Sequence, residues 1–362
     1  MALSISQVSF EHHRTALGIG ETSPRISWRF DGQVSDWNQA SYDIEIQKPG
    51  KHAETFHVDS AESVLVPWPS DPLESGEEAT VRVKSSGGRG NPSTSWSHPV
   101  SVEPGLLSPE DWQDAVVLAS ERATEVNATH RPIYFRKDFE LGGDITSARL
   151  YITALGLYEA RLNGQRVGDH FLAPGWQSYM HRHEYNTYDV TDLLRDGENT
   201  IGVTVGEGWY SGRLAWENNR NIYGDTLGAL CLLSVTNSNG TKTYISSDTT
   251  WKSSTGPILS SEIYDGETYN SRLEQKGWDS PGFDQSSWLG VRELKFSKDV
   301  LAAPDAPPVR RVDEHKLENV FSSASGKTVL DFGQNLVGWL RIRVKGPRGQ
   351  NISFVHTEGI IL

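Results

Sequence analysis

The stretch from Gly206 to Tyr223, GEGWYSGRLAWENNRNIY, concentrates side chains suited to holding a hydroxylated ligand. Trp209, Tyr210, Trp216 and Tyr223 offer flat apolar faces; Arg213, Asn218, Asn219 and Asn221 lie between them. Aromatic rings cover the apolar C–H face of a sugar, while amide and guanidinium groups bond its hydroxyls. Trp176, Gln177 and Tyr179 follow a Pro174-Gly175 turn and form a second group of the same kind. The candidate sugar-binding set is therefore Trp176, Tyr179, Trp209, Tyr210, Arg213, Trp216, Asn218 and Asn219. These aromatics have a second use: capping the end of a β-sandwich or sealing it against a neighbouring domain. Both readings stand at this point.

Bond-breaking chemistry is harder to place. Glycoside hydrolysis with inversion needs two carboxyl groups roughly 6.5–9.5 Å apart, to admit a water. The chain has 47 Asp and Glu residues, so sequence spacing selects no pair. Glu207 and Glu217 flank the aromatic loop and read as solvated loop residues. No catalytic residue is assigned. His181-Arg182-His183 and His12-His13 lack the i, i+4 spacing and nearby Glu of a zinc hydrolase, and read as surface or strand histidines. There is no phosphate loop and no nucleophile elbow.

The elements that must carry these loops are strands. Short β-branched and aromatic runs alternate with Gly, Pro, Asn, Asp and Ser clusters throughout, which predicts an all-β chain of tandem sandwiches. In residues 1–103, the runs Arg25–Phe30, Ser41–Gln47, Thr80–Lys84 and Val100–Glu103 alternate as half-buried strands, with Trp28 as core. Ser93-Thr94-Ser95-Trp96-Ser97 resembles the Trp-Ser turn of fibronectin type III domains, and an Ig-like or fibronectin-like sandwich is expected. Residues 104–130 read as a connector, in which Ser108 caps one helical turn opened by Pro109. Residues 131–291 read as a jelly roll of two facing antiparallel sheets, with Asn163-Gly164 as a tight hairpin and Trp288 closing one end. Residues 292–309, with Pro304, Pro307 and Pro308, read as a stiff linker. Residues 310–362 offer three strand candidates, Thr328–Phe332, Gly338–Lys345 and Asn351–His356. Three are too few to close a sandwich.

Length and composition set outer bounds. At 362 residues the chain has room for two or three cores. Its formal charge of -13 disfavours nucleic acid and anionic membrane surfaces as partners. Cys231 is the sole cysteine, so no intrachain disulfide is possible, and its apolar neighbours read it as a buried strand thiol. No run approaches the ~20 apolar residues that cross a bilayer. Glu11, His12, His13 and Arg14 stand where a signal peptide would be apolar, so a cytoplasmic location is expected.

Two segments carry a family resemblance. Residues 149–213 include Tyr158-Glu159-Ala160-Arg161-Leu162-Asn163-Gly164, Pro174-Gly175-Trp176, Tyr188-Asp189-Val190-Thr191 and Gly206-Glu207-Gly208-Trp209-Tyr210. This run resembles the N-terminal β-domain of the α-L-rhamnosidases, inverting glycoside hydrolases that remove terminal L-rhamnose. Asp331-Phe332-Gly333-Gln334-Asn335-Leu336-Val337-Gly338-Trp339 resembles the signature of the concanavalin-like β-sandwich that follows in that family. The resemblance implies accessory β-domains of an enzyme that acts on L-rhamnose-containing glycosides. It also implies that the catalytic helical barrel, a partner in cis in the parent enzyme, lies beyond residue 362, and that this chain alone is inactive. Relatives continue past His356-Thr357-Glu358, whereas Gly359-Ile360-Ile361-Leu362 departs from their pattern, so the third sandwich reads as truncated. A stand-alone rhamnose-binding module, or a structural remnant, are the alternatives. Some family jelly rolls bind rhamnose through calcium, which makes Ca2+ a possible cofactor for 131–291, with ligands unassigned. The sequence departs from the family at Glu207, where Asp often precedes Gly-Trp-Tyr, and at Asn270-Ser271-Arg272, where Asp-Ala-Arg is usual.

Overall fold

The computed structural model describes residues 3–32, 34–88, 90–122 and 128–357. It divides into two compact units, Met1–Arg310 and Arg311–Leu362.

The first unit opens with a small sandwich. Ser4–Phe10 pairs antiparallel with Ile26–Asp31. A five-stranded sheet runs in the order Leu17–Ile19, Val100–Pro104, Ala79–Gly87, Gln39–Gln47, Glu54–Val58. Alternation decides what faces inward: Tyr42, Ile44 and Ile46 from one strand meet Val81 and Val83 from the next, around Trp28. The Trp28 indole sits edge-on to Tyr42 at 4.8 Å and donates to Gln39 Oε1 at 3.1 Å. The expected Trp-Ser turn docks along Ala79–Gly87, where Thr94 Oγ1 and Ser97 Oγ accept from the Ser85 and Val83 amides.

The jelly roll follows. One sheet runs Asn186–Asp189, Ile145–Leu155, Gly228–Asn237, Val117–Ser120, Val291–Leu294, with Lys242–Ser246 also paired to Gly228–Asn237. The facing sheet runs Gln165–Arg166, Leu157–Leu162, Gly197–Gly206, Ile133–Leu141, Lys252–Thr255. Leu150, Ile152, Cys231 and Leu233 from the first meet Phe135, Leu162, Val203 and Val205 from the second. Cys231 is the buried strand thiol expected of it, and burial lifts its pKa to about 12. Asn163 and Gly164 form the two-residue hairpin, with φ of 52° and 82°, and close the Leu162–Gln165 pair. Trp288 packs with Tyr134 and Trp278 and donates to Gln275 Oε1 at 2.9 Å.

Three segments differ from expectation. Residues 104–130 are not simply a connector. After the Ser108-capped turn Pro109–Trp112, the strand Val117–Ser120 joins the jelly-roll sheet between Gly228–Asn237 and Val291–Leu294; residues 123–127 lie outside the description. Residues 292–309 are not a free linker either. Leu301–Ala302 pairs with His183–Glu184, and Val309–Arg310 pairs with His170–Phe171. The prolines lie between these pairs, where no amide donor is needed. In the second unit, Asn319–Ser322 and Thr328–Asp331 form a two-stranded sheet, and 338–345 and 351–356 form no strand. Alternating residues without a neighbouring strand have nothing to bond to. Glu358–Leu362, including the expected departure at 359–362, lies outside the described residues.

Candidate functional site

The strand Gly197–Gly206 ends at Glu207 and passes into a one-turn helix, Gly208–Ser211; the chain then loops back to Gly228–Asn237. Gly208 has φ of 51°, and a side chain there would meet Leu157 Cγ at 2.3 Å. Only glycine turns the strand so tightly while presenting Trp209 and Tyr210. A side chain at Gly224 would collide with the Tyr210 hydroxyl, so a second glycine makes room for that ring.

The sheet end gathers aromatics from both loops. Trp176 and Trp209 lie parallel, 4° apart in plane and 6.0 Å between centroids, within stacking range. The Trp176 indole donates to the Tyr223 hydroxyl at 3.3 Å. Tyr179 stands edge-on to Tyr210 at 5.4 Å and to Tyr223 at 4.9 Å. Trp176 remains 55% exposed, so a flat face stays open to solvent.

The eight residues anticipated for sugar contact divide into three places. Trp176, Trp209 and Tyr210 share the aromatic face with Tyr179, which is buried beneath it and donates its hydroxyl to Gly175 O at 2.8 Å. Its place is support, and burial pushes its phenol well above the ordinary range. Trp216, Asn218 and Asn219 sit on the exposed loop tip; Trp216 is 85% exposed, and Asn219 Nδ2 donates to its carbonyl at 2.9 Å. Arg213 belongs to neither group. It pairs with Asp265 at 3.3 Å and lies 5.1 Å from the Tyr264 ring centroid.

Glu207 corrects the solvated-loop expectation: it is 0% exposed, because the loop folds back over it through Asn221 N to Ser211 O. Its Oε1 accepts from the His130 amide at 2.8 Å and from Arg220 at 3.3 Å. Burial outweighs these bonds and lifts its pKa to about 7. Arg220 also holds Asp265 at 2.8 Å, and buried Glu262 accepts from the Tyr264 and Asp265 amides. A carboxyl sealed from solvent cannot reach a substrate, so Glu207 is a loop anchor rather than a general acid. Glu217 is exposed, as expected. No sequence signal marked Glu262 or Arg220, since their roles arise only when segments 207–220 and 262–265 meet.

Calcium needs six to eight oxygen ligands. Among the described residues no group of three or more His, Cys, Asp or Glu side chains is arranged to hold a metal ion. The acidic cluster here includes Arg213 and Arg220, whose charges oppose a cation, so it does not fit one. Asn270 retains a capping role despite its departure from Asp: its Oδ1 accepts from Arg272 N at 3.2 Å and Nε at 3.1 Å.

Fold and site together define a class: tandem β-sandwiches whose jelly roll presents an exposed aromatic face beside a sealed charge cluster. Three family models match in succession, and the chain belongs to the α-L-rhamnosidase family as a set of its N-terminal β-domains. The Rha78A-like N-terminal immunoglobulin domain matches residues 5–108, the α-L-rhamnosidase N-terminal domain 143–313, and the bacterial α-L-rhamnosidase concanavalin-like domain 322–361. An α-L-rhamnosidase of Formosa agariphila is 30% identical over 390 residues, covering 99% of this chain and 41% of that protein. The crystal structure of native α-L-rhamnosidase from Aspergillus terreus is similar with a TM-score of 0.95 and 72% identity, over 96% of this chain and 41% of that one. The Streptomyces avermitilis α-L-rhamnosidase complexed with L-rhamnose shares the fold with a TM-score of 0.82 at 24% identity, over 92% of this chain and 49% of that one. The chain thus spans less than half the length of each of these relatives.

Proposed function

We propose that this chain is the N-terminal portion of an α-L-rhamnosidase. The parent reaction is hydrolysis of a terminal α-L-rhamnoside with inversion, performed by a helical barrel outside residues 1–362. The observation that carries this reading is the consecutive order of three α-L-rhamnosidase domain matches, at 5–108, 143–313 and 322–361. The layout we propose is an Ig-like sandwich over 1–103, a jelly roll built on 131–291 and completed by the strands Val117–Ser120 and Val291–Leu294, and the start of a third sandwich over 310–362. Within it, the jelly roll contributes a face for rhamnose-containing glycosides. The parallel Trp176–Trp209 pair, with Trp176 half open to solvent, favours direct sugar contact. Burial against the barrel is the competing use of that face.

Hydrolysis by the chain alone is the direct test. Among the described residues the carboxyl with the most strongly raised pKa, Glu207, is sealed from solvent. Purified chain incubated with an aryl α-L-rhamnoside should release no phenol above a buffer control. Turnover that survives stringent purification would place a catalytic site within residues 1–362 and overturn the proposal.

A further inference from the structure

A second concavity lies beside the aromatic face, on the other side of the turn that carries Trp176, between the segment 170–177 and the proline-rich segment 304–309. It encloses about 160 Å³. Drug-sized ligands occupy roughly 300–1,000 Å³, so this cleft suits something no larger than one sugar ring. Phe171, Pro307 and Val309 supply apolar walls; Gln177, Glu184 and Asn186 supply polar groups.

The polar end is oriented by a hydrogen-bond relay whose direction follows from one donor-only group. Arg310, held by Asp169 at 3.0 Å, lies 3.2 Å from His170 Nε2. A guanidinium only donates, so Nε2 accepts. Neutral His170 then carries its proton on Nδ1 and donates to the Tyr188 hydroxyl at 3.2 Å. Tyr188 donates to the Tyr158 hydroxyl at 3.1 Å, and Tyr158 donates to Asn186 Oδ1 at 2.7 Å. Burial and the Arg310 charge both lower the His170 pKa, consistent with the neutral ring. With Oδ1 committed, the Asn186 amide must present Nδ2 elsewhere. Asn186 is 5% exposed and lines the cleft, and among the described residues no protein group accepts from that nitrogen. Glu184, also buried, lies beside it; Arg182 at 3.3 Å and the Gln177 side chain bond its carboxylate, whose two oxygens keep further lone pairs as acceptors.

We propose that this cleft binds one neutral, hydroxyl-bearing molecule of monosaccharide size, with Asn186 Nδ2 as donor and Glu184 as acceptor. Hydroxyls both donate and accept, which a paired amide and carboxylate satisfy. Glu184 repels an anion, and Arg182 beside it opposes a cation. The site adjoins the Trp176–Trp209 face, because Gly175 and Gln177 on either side of Trp176 line the cleft, but it uses different polar groups.

The test is a titration of the full chain with L-rhamnose, read by NMR at the Asn186 side-chain amide and neighbouring backbone amides. A saturable shift is expected in the unmodified chain and in Trp209→Ala. Asn186→Ala should weaken it at least tenfold. Ala306→Trp, at an exposed position on the cleft wall, should do the same without touching the relay. Imidazole nitrogen shifts should show the His170 proton on Nδ1. Absence of a saturable shift, wild-type affinity in both cleft variants, or a proton on Nε2 would overturn the proposal. Equal shifts with methylammonium chloride would overturn its neutral-ligand class.

Discussion

The jelly roll and the residues after Arg310 share the same kind of sequence and reach different ends. Ile145–Leu155 alternates and pairs on both sides, with Asn186–Asp189 and Gly228–Asn237, and Leu150 and Ile152 are fully buried. Residues 338–345 alternate as well, yet Ile342 and Val344 stay exposed and no strand forms. An alternating pattern is a capacity to pair; burial comes only when a partner strand and a facing sheet are supplied.

The largest expected difference is in backbone protection. Amides of 338–355 should exchange at least a hundredfold faster than those of Ile145–Leu155 and Gly228–Asn237, because local opening there breaks no sheet. Limited proteolysis should cut beyond Arg310 before it cuts at 301–310, where the chain is stitched to His170 and His183 by paired strands. Equal protection to residue 357 would erase the contrast.

Side-chain truncation sharpens the same comparison. Leu233→Ala removes a fully buried side chain and should cost ~2–5 kcal/mol in denaturant unfolding. Val337→Ala, at a fully exposed position, should stay within about 0.5 kcal/mol. Similar losses at both would show that 311–357 buries a core of its own.

A third expectation concerns pH and separates the sealed charge cluster from the open aromatic face. Glu207 binds its proton more tightly folded than unfolded, its pKa rising from an ordinary 4.5 to about 7. Its contribution is therefore full below pH 4.5, falls as pH rises and is gone above 7. At ~1.4 kcal/mol per unit the total change is ~3 kcal/mol. Melting curves across this range should show Glu207→Gln losing that slope relative to the unmodified chain. An unchanged slope would mean that the buried carboxyl is ionised throughout.

Much of the architecture was legible because alternation and turn chemistry are local. Asn163-Gly164, the Ser108 cap with Pro109, Trp28 and Cys231 could each be placed from immediate neighbours. What was not legible depends on distant segments meeting. Val117–Ser120 is a strand because Gly228–Asn237 and Val291–Leu294 flank it. Glu207 is buried because the chain closes over it, and no property of GEGWY announces that. At the site, residue type brought Trp176, Trp209 and Tyr210 to attention and the fold puts them together. Residue type could not tell Tyr179, which supports the face, from Trp216, which stands free of the core on the loop tip.

The central claim is that the jelly-roll end offers an open aromatic face to a rhamnoside. Its most direct test follows the indole N–H signals of Trp176 and Trp209 while the full chain is titrated with methyl α-L-rhamnoside, with a chelator present. A shallow single-sugar site excludes little water, so saturable shifts with a midpoint near ~1 mM, about -4 kcal/mol, are expected. They should vanish at Trp176 in Trp209→Ala while circular dichroism stays unchanged. Indole signals that do not move in folded protein, at ligand well above that midpoint, would contradict the claim and leave the face as a structural seal.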